Sequence, residues 1–318
     1  VDALSAEDVG KFPDSNIAES LQRVSGVTTL YSNNEGAKVS VRGLDPNFNL
    51  VTLNGRLLPI ADLKDNVTAG TRAFNFSDWA SENLSSIKVQ KTSLANHNSG
   101  GIGSVVDIEM LKPFDFKTPQ ATVGIKGASD SSAQENIRPE LSGLISKRFA
   151  SDRIGVLLSG SYQERFSRLE EASLTWIKDR LFSLAANPEF GNAQLPAENW
   201  YPNELKVSLS DYQRKRTNGY LALQLSPQSK LEARFDYGFS LLNRQSESTN
   251  ILSRFSGNLL DVFPSIDEYG SVVQSTGQGG SYLCERTAGR EKSFTDVLGM
   301  KVDFKAHDNL AFVFDAHK

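Results

Sequence analysis

The pattern of the sequence changes near residue 115, and this change constrains the fold more than any other feature. Residues 1–115 combine short apolar segments with several glycine turns, which is typical of a small mixed α/β domain. From residue 116 onward, apolar and polar residues alternate, as in amphipathic strands. The sequence therefore predicts two domains, 1–115 and 116–318, of which the second is an antiparallel β-structure.

Alternation is clearest in residues 231–239, where Leu231, Phe235 and Phe239 share one face and Glu232 and Asp236 lie on the other. Four further segments alternate in the same way, namely 154–162, 221–225, 298–304 and 310–316. We expect about seven strands in this region.

The connections between these strands are of two kinds. Brief polar links lie at 149–154, 225–231 and 304–310, whereas long links are predicted near 168–211 and 247–292. Bacterial outer-membrane barrels have short turns at one end and long extracellular loops at the other. The second domain is therefore predicted to be the N-terminal part of a transmembrane β-barrel, with a soluble β-sandwich as the alternative.

The apolar runs, the net charge and the cysteine count exclude several classes of protein. No run of about 18 apolar residues occurs, so no transmembrane helix is predicted. The formal net charge of −4 argues against a general nucleic-acid binder. Cys284 is the one cysteine, so the chain forms no internal disulfide.

Within the first domain, the sequence predicts two helices and a small mixed sheet. A helix is predicted over 14–24, capped by Asp14 or Ser15 and ended by Gly26. A second helix is predicted over 77–84, with Ser77 as its cap. Asn54-Gly55 is a strong hairpin signal. Strands are predicted at 37–41, 49–53, 56–60, 87–91 and 104–110.

Three sequence segments carry a resemblance to a known family. They read NIAESLQRVSGV, VSVRGLDPNFNLVTLNGRLLP and SENLSSIKVQKTSLANHNSGGIGSVVDIE. Together they resemble the plug domain of TonB-dependent outer-membrane receptors, over essentially all of residues 12–110. The combination is most similar to large receptors of marine and freshwater Gram-negative bacteria, many of them linked to carbohydrate uptake.

The resemblance implies a mixed α/β plug followed by the first strands of a barrel that closes with about 22 strands. The chain is accordingly expected to be a fragment of a longer receptor. The TonB box, the segment that pairs with TonB, is not recognised before Asp14 and is expected further upstream.

The implied location is the outer membrane of a Gram-negative bacterium, and the implied function is TonB-dependent active transport of a scarce or large ligand. Oligosaccharide is the favoured ligand; a siderophore, another metal chelate or cobalamin is the alternative. A non-transporting surface receptor and a secreted β-rich protein also remain open. The implied partners are TonB with its inner-membrane energising complex, outer-membrane lipid and a small or oligomeric ligand, with a surface lipoprotein left open and nucleic acid excluded.

The resemblance also implies two kinds of site in the plug. Arg42 and Lys91 are predicted to help lock the plug to the barrel, with solvated strand-end positions as the alternative. Loops at 45–49, 62–72 and 94–99 are predicted to rise toward the ligand, where amide and aromatic groups suit polar ligands. The candidate ligand-binding residues are Asn47, Phe48, Asn49, Asn96, His97 and Asn98, although ordinary turn chemistry also accounts for them.

Other polar and glycine residues are predicted to be structural. The turn residues are Gly26, Gly43, Asn54, Gly55, Gly100, Gly101 and Gly103. His97, His307 and His317 lack the spacing of metal ligands, so no metal site or cofactor is predicted. No nucleophile–base constellation is present either, so the chain is not predicted to be an enzyme.

Overall fold

The structure is a computed structural model that describes most of the chain in nine segments. These are residues 2–5, 16–60, 72–82, 84–92, 99–133, 137–179, 199–255, 265–274 and 281–318. The chain forms two compact units. The first comprises 1–166, 213–244 and 291–318, and the second comprises 167–212 and 245–290.

Among its described residues, the first domain contains a five-stranded mixed sheet, a separate hairpin and one α-helix. Its strands run in the order β1-β6-β7-β4-β5, in which β4 and β7 are parallel and the other neighbours antiparallel. Strands β2 and β3 form the hairpin. The bounds are β1 (Asp2–Ser5), α1 (Ile17–Leu21), β2 (Val27–Ser32), β3 (Glu35–Val41), β4 (Asn49–Leu53), β5 (Arg56–Leu57), β6 (Leu84–Gln90) and β7 (Ser104–Met110).

Alternating apolar residues of this sheet form a common core with α1. Ile17 and Leu21 lie one helical turn apart and are fully buried. Ile87 and Val89 of β6 are also fully buried. Three short 3₁₀ helices, at Pro46–Phe48, Phe76–Asp78 and Pro113–Asp115, complete the domain. Among the described residues, no helix is long and apolar enough to cross a membrane.

The helix α1 is shorter than the sequence predicted, and its cap is Asn16. The Asn16 side chain accepts a hydrogen bond from the backbone N–H of Glu19. The predicted caps, Asp14 and Ser15, lie outside the described residues. Gly26 follows the helix in the left-handed conformation, with a φ of 71°.

The predicted helix over 77–84 is wrong. Only Phe76–Asp78 is helical, as a 3₁₀ turn capped by Asn75, and β6 already begins at Leu84. The backbone carbonyls of residues 77–79 accept hydrogen bonds from side chains of distant strands instead of from a following helical turn. The donors are Arg216, Asn218 and Ser240. Tertiary hydrogen bonds thus replace the helical ones.

The second domain is dominated by a seven-stranded antiparallel sheet, here called the meander. Its order is β16-β15-β12-β11-β10-β9-β8. The bounds are β8 (Gln120–Ala128), β9 (Arg138–Phe149), β10 (Ile154–Asp179), β11 (Asn199–Gln228), β12 (Leu231–Arg254), β15 (Ser281–His307) and β16 (Leu310–His317). A small ladder joins β13 (Ser265–Ile266) and β14 (Val272–Gln274). The predicted mixed α/β domain followed by antiparallel strands is confirmed.

Alternation along the meander separates two faces. In β11, Tyr220 and Ala222 are buried, whereas Leu223 is exposed. In the terminal strand β16, by contrast, residues on both faces are exposed. The first compact unit contains the first domain together with the segments 116–166, 213–244 and 291–318 of the meander. The predicted boundary at 115 therefore separates two sheets, but it does not separate the two compact units.

The long links predicted at 168–211 and 247–292 are too wide. Strands β10, β11, β12 and β15 continue well into both ranges. Charged residues within these ranges pair with residues of neighbouring strands. Arg168 Nε lies 2.7 Å from Asp211 Oδ1, and Arg254 Nε lies 2.7 Å from Glu204 Oε2. Residues of opposite charge on neighbouring strands can pair with each other, so a polar segment can form a strand as well as a loop.

Candidate functional site

The first contact between the first domain and the meander is centred on Arg56. This residue follows the Asn54-Gly55 turn at the start of β5. Its Nη1 donates to Asp236 Oδ2 of β12 and its Nε to Asp315 Oδ1 of β16, both over 2.6 Å. Arg56 and Asp236 side chains are each only 2% exposed.

Electrostatics hold Arg56 in its charged form. Burial by itself lowers the pKa of the guanidinium and is the largest single influence. The hydrogen bonds and negative charges of Asp236 and Asp315 together outweigh it, so the pKa of Arg56 is raised. Gly299 of β15 makes room for the pair, because a Cβ at this position would overlap the Arg56 guanidinium.

The second contact has the opposite polarity, with the acid on the first domain. Glu35 lies at the start of β3, and its Oε1 accepts a hydrogen bond from Arg214 Nη1 of β11. Arg165 Nη1 of β10 lies 4.0 Å from the same oxygen. Asn16 Nδ2 donates to it over 3.0 Å, so the cap of α1 is tied to the same carboxylate.

Glu35 is ionised in this environment. Burial raises the pKa of its carboxyl group and is the largest single influence. The positive charges of Arg214, Arg216 and Arg165, with the hydrogen bond from Arg214, together reverse the direction, so the pKa of Glu35 is lowered.

The third contact lies at residues 77–79. Arg216 Nη1 donates to the carbonyl oxygens of Ser77 and Trp79, over 2.6 and 3.1 Å. Arg244 Nη2 donates to Asp78 Oδ1 over 3.0 Å. The three contacts hold the first domain against the buried face of the meander through charged groups.

The two predicted locking residues make contacts inside the first domain. Arg42 Nη2 donates to the Gly103 carbonyl oxygen over 2.7 Å. Lys91 Nζ contacts the Asp2 carboxylate and the Ser25 carbonyl oxygen. The hydrogen bond and charge of Lys91 lower the pKa of Asp2. Locking by Arg42 and Lys91 to barrel strands stays a prediction.

The candidate ligand-binding residues fall into three groups. Asn47 Oδ1 accepts hydrogen bonds from the backbone N–H groups of Arg72 and Ala73, over 2.9 and 3.1 Å. Asn49 is buried, and its Nδ2 donates to the Val39 carbonyl oxygen over 2.8 Å. Phe48 is exposed. Asn96, His97 and Asn98 lie outside the described residues. Asn47 and Phe48 lie in the 3₁₀ helix Pro46–Phe48, and Asn49 is the first residue of β4. Ligand contact by these residues stays a prediction.

The predicted turn residues have backbone conformations or surroundings that suit small residues. Gly26, Gly43, Asn54, Gly55 and Gly100 have φ angles between 53° and 118°. A Cβ at Gly103 would approach Asn49 Oδ1 to 2.7 Å. In the described part of the chain, no group of three or more His, Cys, Asp or Glu side chains is placed to hold a metal ion.

The residues that connect the two domains were not predicted from the sequence. They are Glu35, Arg56, Arg214, Arg216, Asp236, Arg244 and Asp315. The sequence of the meander does indicate some of them. Arg214, Arg216 and Asn218 are spaced two residues apart, so they share one face of β11, and Asp236 lies on the polar face of β12. The polar face of each strand therefore has to be interpreted as a surface that contacts the first domain, and not as one that contacts water.

A compact mixed domain held against the buried face of an antiparallel meander is the arrangement of a plugged receptor. Residues 1–105, one third of the chain, match the family model described as TonB-dependent Receptor Plug Domain. The first domain is therefore a plug domain, as its motifs predicted. The plug match assigns the chain to the outer membrane of a Gram-negative bacterium.

Solved structures similar to the chain include a siderophore receptor and a ferric citrate transporter. The siderophore receptor PirA from Acinetobacter baumannii is 15% identical, with a TM-score of 0.40; the match covers 100% of this chain and 56% of PirA. The ferric citrate transporter FecA in the unliganded form is 14% identical, with a TM-score of 0.44; coverage is 99% and 62%. The chain thus spans less than two thirds of either protein. No curated protein matches the sequence.

Proposed function

We propose that the chain is the plug and first part of the wall of a TonB-dependent transporter, which carries a scarce or large ligand across the outer membrane. The observation that carries the proposal is the ion pair of Arg56 with Asp236, buried between the plug and the meander. A plug fastened to a wall by charged pairs has a defined resting position. Those pairs can also exchange for water when the plug moves, because charged groups are well solvated once exposed.

The proposed source of energy is TonB with its inner-membrane energising complex. Traction by TonB on the segment before α1 reaches the plug at Asn16, which is hydrogen-bonded to Glu35 and through it to Arg214. Among the strands that the structure describes, β1 lies at the edge of the plug sheet and pairs with β6. An edge strand separates from a sheet with the loss of one ladder of hydrogen bonds. The exposed apolar residues of the meander are the proposed contact with outer-membrane lipid.

The ligand class is not fixed by the plug match. The oligosaccharide expected from the sequence receives no support from the comparisons. Siderophore and ferric citrate are what the names of PirA and FecA state of those proteins. Because one scaffold serves many ligands, the experiment must offer both classes.

Uptake by cells tests the proposal. The receptor that contains this chain is expressed in Gram-negative cells with and without TonB, and the cells receive labelled ferric chelates or labelled oligosaccharides. We expect one class of ligand to accumulate inside the cells only when TonB is present. Entry that does not depend on TonB, or binding at the surface without entry, would overturn the transport function. Cells that carry the empty vector are the control.

A further inference from the structure

Four arginines of the meander form a column on the face that contacts the plug. They lie on three consecutive strands and comprise Arg165 of β10, Arg214 and Arg216 of β11, and Arg244 of β12. Here this set is called the arginine column. Among the described contacts, each member reaches Glu35 or the segment 77–79 of the plug. The column is therefore covered by two small parts of the plug.

Arg216 is the most unusual member of the arginine column. Its side chain is 1% exposed, and its hydrogen-bond acceptors are neutral oxygens of Ser77, Trp79 and Gln163. Among the described residues, the Nε atoms of Arg214 and Arg216 have no hydrogen-bond acceptor. A buried guanidinium without a hydrogen-bonded carboxylate costs stability. In the resting fold, the charge of Arg216 is met by these neutral oxygens and, at longer range, by Glu35, Glu82 and Asp78.

The acids that face the arginine column belong mainly to the plug. Glu35 neutralises Arg214, and Asp78 neutralises Arg244. On the meander itself, Glu291 lies 3.2 Å from Arg244. Glu140 of β9 accepts a hydrogen bond from Gln163, which itself accepts from Arg214 and Arg216. Glu164 of β10 is engaged by Arg138 and Lys215, at 3.3 and 3.8 Å. In the proposed transport cycle, the acids of the plug would leave with it, whereas the arginines would stay on the strands of the meander.

We propose that the arginine column is a binding step for an anionic ligand on its way through the receptor, exposed as Glu35 and residues 77–79 withdraw. This inference rests on the proposed transport function. The ligand class is an anion with carboxylate, phosphate, sulfate or catecholate oxygens. Guanidinium groups suit such ligands because their fixed donors bind two oxygens at once. Several neighbouring arginines allow the anion to pass from one to the next without being trapped at any of them.

Ion selectivity of the opened receptor tests this step without knowledge of the ligand. The whole receptor is placed in a planar lipid bilayer between unequal KCl solutions, and urea is added until the plug opens, which appears as a rise in conductance. The reversal potential then gives the permeability ratio of chloride to potassium. We expect the double substitution Arg214→Gln with Arg216→Gln to lower this ratio about twofold or more, because two fixed charges leave the pore wall.

Two further variants separate charge from structure. Arg214→Lys with Arg216→Lys keeps both charges, so we expect its permeability ratio to stay near that of the wild type. Lys215→Gln removes a charge from the exposed side chain between the two arginines, and we expect it to leave the ratio unchanged. A ratio that is the same in the wild type and the glutamine variant, or that falls equally with Lys215→Gln, overturns the proposal.

Inhibition of the open current gives a second readout. Citrate and pyrophosphate are expected to reduce the current through the wild-type and lysine variants more than through the glutamine variant. Equal reduction in all of them counts against the arginine column. Because neither measurement needs TonB, failure of TonB-dependent uptake would remove the transport function and leave the anion site standing. If uptake depends on TonB but the variants do not differ in the bilayer, the transport function would stand and the anion site would be removed.

Discussion

Arg56 of the plug and Asp236 of the meander form an ion pair over 2.6 Å, and each side chain is only 2% exposed. Substitution of Arg56 by Gln leaves Asp236 buried without a full counter-charge. We expect a loss of about 3–5 kcal/mol in the free energy of plug unfolding, as for other broken buried pairs. Urea unfolding of the whole receptor, followed by hydrogen exchange of plug peptides, measures this loss.

Two controls accompany Arg56→Gln: a substitution at a distant exposed arginine, and a double substitution that also changes the partner Asp236. Arg153→Gln changes an exposed arginine in the turn between β9 and β10, and we expect a change within about 0.5 kcal/mol. Combining Arg56→Gln with Asp236→Asn should cost less than the sum of the two single substitutions, because the partners share one interaction. Additive losses would mean that the pair contributes nothing as a pair.

Gly299 is predicted to be required for the same pair. Its backbone does not need glycine for its φ, but a Cβ would overlap the Arg56 guanidinium and lie 2.8 Å from Asp236 Oδ2. We therefore expect Gly299→Ala to destabilise plug docking by about 1–3 kcal/mol through overpacking. Gly143→Ala is the matched control on β9, where the nearest atom lies 3.9 Å from the new Cβ. Equal effects of the two substitutions in urea unfolding would refute this role of Gly299.

The pairing of strands that are joined by short links could be predicted from the sequence, whereas the mixed order of the plug sheet, in which β4 pairs with β7, could not. The two-residue turn at Asn54-Gly55 and the short links of the meander make neighbours in sequence neighbours in space. For residues 77–84, the local pattern gives the wrong prediction. Their local pattern favours a helix, but Arg216, which lies more than a hundred residues away, takes the carbonyl oxygens that a helix would need.

The docking contacts were not predictable for a related reason. Glu35 and Arg214 are each ordinary polar residues in their own segments, and only the packing of two sheets makes them a buried pair. The plug motifs drew attention to Arg42 and Lys91 instead, whose described contacts lie inside the plug. A pattern within one strand indicates which face is polar, but it does not identify the partner.

Asn16 is predicted to have two separable roles. Its Oδ1 caps α1, and its Nδ2 donates to Glu35 Oε1 and to the Gly36 carbonyl oxygen, over 3.0 and 2.6 Å. Asn16→Ala loses both and is expected to destabilise the plug by about 2 kcal/mol. Asn16→Asp keeps the cap but places a carboxylate against Glu35 and a carbonyl oxygen. We expect Asp to be worse than Ala at neutral pH in urea unfolding, although Asp is an equally good cap in isolation. A milder effect of Asp would show that capping alone matters.

Glu35 is predicted to make plug docking sensitive to acid. Its pKa in the folded protein lies below the ordinary value of 4.5, because the charges of Arg214, Arg216 and Arg165 outweigh the effect of burial. As the pH falls, the unfolded chain therefore takes up the proton first, and the folded state loses stability relative to it. The contribution of Glu35 is fully present above the unfolded pKa, and it is lost as the pH falls from there through the lower, folded pKa.

Stability measured as a function of pH isolates this contribution. Asp2 and Glu109 also have lowered pKa values in the folded plug, so acid destabilises the wild type through several groups at once. Glu35→Gln removes one of them. We expect this variant to be less stable at pH 7, because Arg214 loses its counter-charge, but to lose less further stability between pH 5 and pH 3. Hydrogen exchange of plug peptides in urea, at each pH, follows both proteins. Parallel curves for the wild type and Glu35→Gln would mean that the carboxyl group of Glu35 titrates alike in the folded and unfolded plug, and the charge-stabilised contact with Arg214 would then have to be abandoned.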